Sequence, residues 1–128
     1  MASRVDRLKK LLSVQEQLKS LHETRHAGHV AAAAEAAREA AEIAERFNRD
    51  DSLSALFPEV YNNRIASALT RGEASRAAAE QELQLVATAT ARTNLVERNY
   101  RDARRQEERE QGDQERLEMI MNVRRPPG

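Results

Sequence analysis

Apolar residues recur along most of this chain in steps of three and four, the spacing that places them on one face of an α-helix. A first stripe runs through Leu8, Leu11, Leu12, Val14, Leu18, Leu21, Ala32, Ala33, Ala36, Ala40, Ile43 and Phe47. A second runs through Tyr61, Ile65, Ala68, Leu69, Gly72, Ala79, Leu83, Val86, Thr90 and Val96. Between them lies Asn48-Arg49-Asp50-Asp51-Ser52-Leu53-Ser54-Ala55-Leu56-Phe57. Its Asn, Asp and Ser side chains compete for backbone hydrogen bonds and favour caps and turns. Pro58 follows, with the fixed φ and missing N–H that suit a first helical position, and Pro126 and Pro127 close the second stretch. The pattern predicts helix one over about 4–48, a turn at about 49–57 with room for one short helical turn, and helix two over about 58–124.

Neither stripe is a clean leucine heptad, which favours an antiparallel hairpin over a parallel zipper. Folding the chain about Leu53 pairs Phe47 with Val60 and Tyr61, Ile43 with Ile65, Ala40 with Ala68, and Ala36 with Gly72. Farther out it pairs Leu18 with Thr90, Leu11 with Val96 and Leu8 with Tyr100. Large side chains then sit near the turn and small ones in the middle. Gly72 gives up about 1 kcal/mol of helix propensity, and close approach to Ala36 would explain it. The expected fold is all-α: an elongated antiparallel two-helix coiled-coil hairpin, one domain over residues 1–128.

At 1.5 Å per residue the helices would be about 65 Å and about 100 Å long, so helix two outruns its partner by about twenty residues. That C-terminal helical overhang starts near Arg104 and ends in Leu117, Met119, Ile120, Met121 and Val123. An apolar helix tip without intrachain cover either frays or takes a partner.

Composition narrows the function classes. Of 128 residues only 3% are aromatic, none is Trp, and 33% are charged, which is the composition of long helices. It argues against a β-sandwich, a Rossmann sheet or a disulfide scaffold. Two helices offer no catalytic cleft, so the chain is expected not to be an enzyme. Lys plus Arg equals Asp plus Glu at 21 each, without the basic excess expected of a nucleic-acid binder. Cysteine is absent, which excludes disulfides and Cys-ligated zinc. Met1 to Arg7 runs straight into charge, and Glu35, Arg38, Glu39 and Glu42 break the alanine-rich run. No signal peptide or membrane insertion is expected, and the default address is cytoplasmic.

One constellation mimics catalysis. His22-Glu23-Thr24-Arg25-His26 has the H-E-x-x-H zinc-protease spacing, with His29 three residues on. His22 and His26 would share a helix face, with Glu23 placed to activate a metal-bound water. The chain offers no third ligand on another element and no substrate cleft, so polar positions along the hairpin seam are the preferred reading. There is no Gly-rich phosphate loop, and no cofactor or metal is expected. Eighteen of the 21 basic residues are Arg. Arg98, Arg101, Arg104, Arg105 and Arg109 alternate with Glu97, Asp102, Glu107, Glu108 and Glu110, the signature of a solvated helix or a protein-docking face.

Two patches together resemble the FliJ family of bacterial flagellar type III export proteins. The first is Val5-x-x-Leu8-x-x-Leu11-Leu12-x-Val14-x-Glu16. The second is the run from Tyr100 to Glu115, ending Arg109-Glu110-Gln111-Gly112-Asp113-Gln114-Glu115, with Gly112 where the family has a long side chain. The resemblance implies a cytoplasmic antiparallel hairpin at the inner face of the secretion apparatus, like the stalk of a rotary ATPase. Its implied partners are a hexameric export ATPase, an export-gate membrane protein and export chaperones. Carried onto this sequence, the partner-binding set is Leu8, Leu11, Leu12, Arg98, Arg101, Arg104, Arg105, Arg109, Glu110, Gln111, Asp113, Glu115, Leu117, Ile120 and Met121, with Asp50 to Phe57 facing the gate. The alternatives are an injectisome stalk, a generic coiled-coil scaffold joined through Leu117, Ile120 and Met121, and, remotely, a zinc-binding H-E-x-x-H protein.

Overall fold

A computed structural model of the chain describes residues 2–124; Arg125, Pro126 and Pro127 lie outside them. The fold is an all-α helical hairpin of two long helices packed against each other. Helix α1 spans Arg4–Phe47 and helix α2 spans Pro58–Arg124. A single 3₁₀ turn, Leu53–Ala55, lies between them.

The helix ends follow from local chemistry. Ser3 Oγ accepts a hydrogen bond from the Asp6 backbone N–H at 3.1 Å, satisfying one of the four donors that the first turn of α1 leaves without a partner. Asp6 itself places negative charge at the positive end of the helix dipole, and Arg46 does the converse in the last turn. At the turn, Ser54 Oγ donates to the Phe47 carbonyl at 2.8 Å, capping a C-terminal carbonyl of α1. Ser52 caps the 3₁₀ turn, its Oγ accepting from Ser54 N–H at 3.4 Å. Pro58 then opens α2.

Contacts group the chain into a turn unit, Lys19–Thr88, and a terminal unit formed by the segments up to Leu18 and from Ala89 onward. In the turn unit the α1 positions withdrawn from solvent are Lys19, His22, His26, His29, Ala33, Ala36, Ala40, Ile43 and Phe47, flanked by Glu39 and Ala44. Their partners on α2 are Tyr61, Ile65, Ala68, Gly72, Ser75, Ala79, Glu82 and Val86, flanked by Ala78. Both sets advance by alternating threes and fours, the seven-residue repeat of a coiled-coil seam. The helices run antiparallel here: Phe47 meets Tyr61 edge-to-face at 5.9 Å, Ala36 meets Gly72, and His22 meets Glu82.

The terminal unit repeats the arrangement with different residues. Val5, Leu8, Leu12 and Gln15 are half-buried on α1, while Ala89, Thr93, Val96 and Ala103 are buried on α2 and Tyr100 is half-buried. Thr93 is a polar residue at a buried position, and its hydroxyl donates to the Ala89 carbonyl at 2.7 Å, one turn back along its own helix. From Arg104 to Arg124 every residue except the half-buried Gly112 is exposed.

The seam corrects the expected stripes in one respect. The seven-residue repeat is regular, but leucine does not fill it. Leu11, Val14, Leu18 and Leu21 are between 39% and 49% exposed, and Leu69 and Leu83 also face outward. The seam positions beside them are Leu12, Gln15, Lys19, His22, Ala68 and Glu82. Leu18 and Leu11, expected opposite Thr90 and Val96, therefore lie off the seam, whose α1 positions fall one residue on, at Lys19 and Leu12. A step of one residue turns a side chain about 100° around the helix, far enough to take it off the seam.

Candidate functional site

Apart from Asp50 to Phe57 at the turn, the residues proposed from sequence to meet a partner lie in the terminal unit, in two different settings. Leu8 and Leu12 are half-buried in the intrachain seam, and Leu11 faces outward. The arginines of α2 are exposed and mostly engaged along their own helix. Arg101 pairs with Glu97, Arg105 with Asp102 at 3.2 Å, Arg104 with Glu108 at 3.8 Å and Arg116 with Asp113 at 3.9 Å. The Arg104 guanidinium also lies 5.9 Å from the Tyr100 ring centroid, within cation–π range. Such exposed pairs contribute about 0.3–0.5 kcal/mol each, so they steady a solvated helix and leave its charged surface available. Arg98, Arg109, Glu110, Gln111 and Glu115 are exposed on the same helix.

Beyond this mixed-charge stretch the surface turns apolar. Leu117, Met119, Ile120, Met121 and Val123 are each more than half exposed. Near the start of α1, Ser3, Arg4 and Val5 stand beside Ala103, Gln106 and Glu110, so α1 gives out at that level and α2 continues uncovered. Leu8 and Leu12 thus belong to the packed seam, and Leu11 and the α2 part of the candidate set are surface.

The histidines occupy the seam of the turn unit. His22 Nδ1–H donates to Glu82 Oε2 at 2.8 Å, with side-chain exposures of 19% and 14%. His26 Nδ1–H donates to the Ala79 carbonyl at 2.8 Å. Both rings therefore reach across to α2 as hydrogen-bond donors. Glu23, the would-be base of an H-E-x-x-H site, is exposed and lies 3.9 Å from Lys19 Nζ. Among the described residues no group of three or more His, Asp or Glu side chains is gathered for a metal ion. The arrangement is that of hydrogen-bonded seam partners: a buried polar group with its partner present avoids a desolvation penalty of about 1–3 kcal/mol.

Sequence reasoning turned Asp50 to Phe57 toward a partner but passed over the cleft that this third region, the turn, carries. Leu53, Leu56 and Phe57 are more than half exposed, Val60 nearly so, and a cleft opens among Ile43, Leu53, Phe57, Val60 and Tyr61. The signal was present in the sequence: three large apolar residues in a segment where only Asn, Asp, Ser and Pro are needed to turn the chain.

Among the described residues no helix is long and apolar enough to cross a membrane. Comparison with protein-family models, with curated proteins and with solved structures finds no match.

Proposed function

We propose that this chain is a non-enzymatic coupling protein of flagellar type III export, which docks on a hexameric export ATPase and links it to the export gate and its chaperones. The observation that supports this reading is the uncovered end of α2. From Arg104 to Arg124 the helix carries exposed charge of both signs and then Leu117, Ile120 and Met121, each more than half exposed. A helix this far from intrachain cover gains its stability from a partner rather than from propensity alone. The motifs from Val5 to Glu16 and from Tyr100 to Glu115 point to which partner that is. In this reading Arg98, Arg101, Arg104, Arg105 and Arg109 approach the ATPase first, where exposed charge raises the rate of encounter. The apolar tip then supplies the buried contact. The turn, Asp50 to Phe57, faces the export gate, and the site of action is the cytoplasmic face of the secretion apparatus.

The test is direct. The intact chain should retain a candidate export ATPase in a pull-down and change its rate of ATP hydrolysis, and a chain ending at Arg104 should do neither. An ATPase that is bound equally by both forms would contradict the reading. The exposed tip also favours a second reading, a scaffold whose hairpins associate through Leu117, Ile120 and Met121. Sedimentation of the free chain as a concentration-independent monomer would contradict that one.

A further inference from the structure

We propose that the cleft at the hairpin turn is a peptide-binding site, and that its ligand is a segment of a partner protein in which a large apolar side chain is flanked by carboxylates. The site lies wholly within the turn unit, and it does not rest on the docking of the C-terminal segment proposed above.

The apolar part of the site exceeds what the turn requires. Ser52 and Ser54 cap the 3₁₀ turn and the end of α1, and Pro58 starts α2. None of this needs Leu53, Phe57 or Val60, which are between 49% and 58% exposed. These three line a cleft of about 320 Å³ together with Ile43, which is buried, and Tyr61, whose ring is held edge-on by Phe47. Lined by both helices and the turn, the cleft is concave and mostly apolar, the setting in which one anchoring side chain contributes most of the binding free energy.

The charged part selects the ligand. Arg46 and Arg64 complete the lining of the cleft. Their neighbours Arg49 and Arg71 are held by Glu45 and Glu39, at 3.3 Å and 2.9 Å. Among the described residues neither Arg46 nor Arg64 has an ion-pair partner. Both also border an adjoining polar groove with Glu39, Glu42, Ser67 and Arg71, which lets a bound chain continue out of the cleft. Two unpaired guanidiniums beside an apolar floor are the complement of an apolar residue between acidic ones, and a guanidinium fork binds a carboxylate in bidentate geometry. An anionic membrane fits less well, because Arg46 and Arg64 stand among Asp50, Asp51, Glu39 and Glu42. That leaves two local sites for the carboxylates of one short peptide and no extended basic face for a lipid surface.

The test uses the full-length chain and an acetylated, amidated probe peptide, Glu-Asp-Leu-Phe-Glu-Asp, titrated against the isotope-labelled protein. The expected result is saturable shifts up to about 1 mM peptide, confined to resonances of Ile43, Leu53, Phe57, Val60 and Tyr61. The Gln-Asn-Leu-Phe-Gln-Asn peptide should bind about fivefold more weakly or worse, as should the Arg46→Gln, Arg64→Gln double variant with the acidic peptide. Phe57→Ala should weaken binding at least tenfold. These residues are exposed, so an unchanged helical circular dichroism spectrum establishes that each variant is folded. Absence of shifts, equal binding of the neutral peptide, or shifts spread evenly along both helices would overturn the proposal. So would the same turn resonances moving with phosphatidylserine vesicles and not with peptide. Because only this chain is present, failure here leaves the ATPase pull-down result standing, and the converse holds too.

Discussion

Two stretches of the turn unit share one seven-residue repeat and fill it in opposite ways. Next to the turn, Ala33, Ala36, Ala40, Ile43 and Phe47 face Tyr61, Ile65, Ala68 and Gly72, and the buried surface is apolar throughout. One step away from the turn, Lys19, His22, His26 and His29 face Ser75, Ala79, Glu82 and Val86. There the leucines face the other way: Leu21, Leu83 and Leu85 are between 43% and 52% exposed. In the first stretch apolar burial holds the helices together; in the second, hydrogen bonds from His22 and His26 link them, and Lys19, its side chain 37% exposed, reaches Glu23 on its own helix at 3.9 Å. The lesson is that the repeat, not the hydrophobicity of its occupants, defines the seam. Hydrogen-bonded partners are consistent with a buried position when each donor has its acceptor.

The largest expected effect belongs to the alanine-rich stretch. Ile43 is its bulkiest well-buried aliphatic side chain, at 8% exposure, and Ile43→Ala should lower stability by about 2–4 kcal/mol through lost transfer free energy and the cavity left behind. Reversible urea unfolding followed by circular dichroism would measure it. A loss no greater than that of an outward-facing leucine would break the distinction between the two stretches.

The polar stretch should respond to the loss of one partner and tolerate the loss of both. His22→Leu or Glu82→Leu alone leaves a half-buried polar group without its partner and should cost about 1 kcal/mol. Replacing both by leucine should be neutral or stabilising, because two apolar side chains meet across the seam with no desolvation cost. The cycle of His22→Leu, Glu82→Leu and the double leucine variant, run in the same unfolding assay, checks this sign reversal. Additive losses in the double variant would show that the pair is not coupled.

Gly72 sharpens the comparison on a smaller scale. An added methyl group there would meet the Ala36 Cβ at 3.4 Å, an ordinary van der Waals contact. The close approach expected from sequence is present, yet it leaves room for alanine. Gly72→Ala should therefore raise stability by about 0.5–1 kcal/mol through helix propensity, whereas Gly72→Leu should destabilise by forcing the helices apart. The smallest effect falls on the outward leucines. Leu21→Gln or Leu83→Gln should change stability by about 0.5 kcal/mol at most. A large loss in either would mean that the leucine face, not the histidine face, is the seam.

Much of the fold was legible in the sequence because its signals are local. Ser3, Pro58 and the Asn-Asp-Ser turn mark where helices begin and end, and the pairing of Phe47 with Tyr61 and of Ala36 with Gly72 follows from folding about Leu53. The occupants of the polar seam were less legible. Ranking residues by apolarity selects Leu18, Leu21 and Leu83, whereas the helix phase carried outward from Ile43 and Ala36 selects Lys19, His22 and Glu82. Reading His22 and His26 as polar seam positions agrees with their contacts to Glu82 and Ala79. The turn cleft was not legible, because Arg46 and Arg64 lie on different helices and meet Phe57 only after the chain has folded.

The antiparallel seam and its register can be tested by cross-linking, since the chain has no native cysteine. With Ala36→Cys and Gly72→Cys the Cβ atoms would lie near the 3.4 Å built for Gly72, just under the roughly 3.5–4.5 Å that a disulfide spans, so a slight parting of the helices admits the bond. Mild oxidation should give an intramolecular disulfide in this variant and none in Ala36→Cys with Ala79→Cys, one heptad out of register. Equal cross-linking of the shifted pair, or disulfides formed only between separate molecules, would contradict the hairpin seam on which the rest depends.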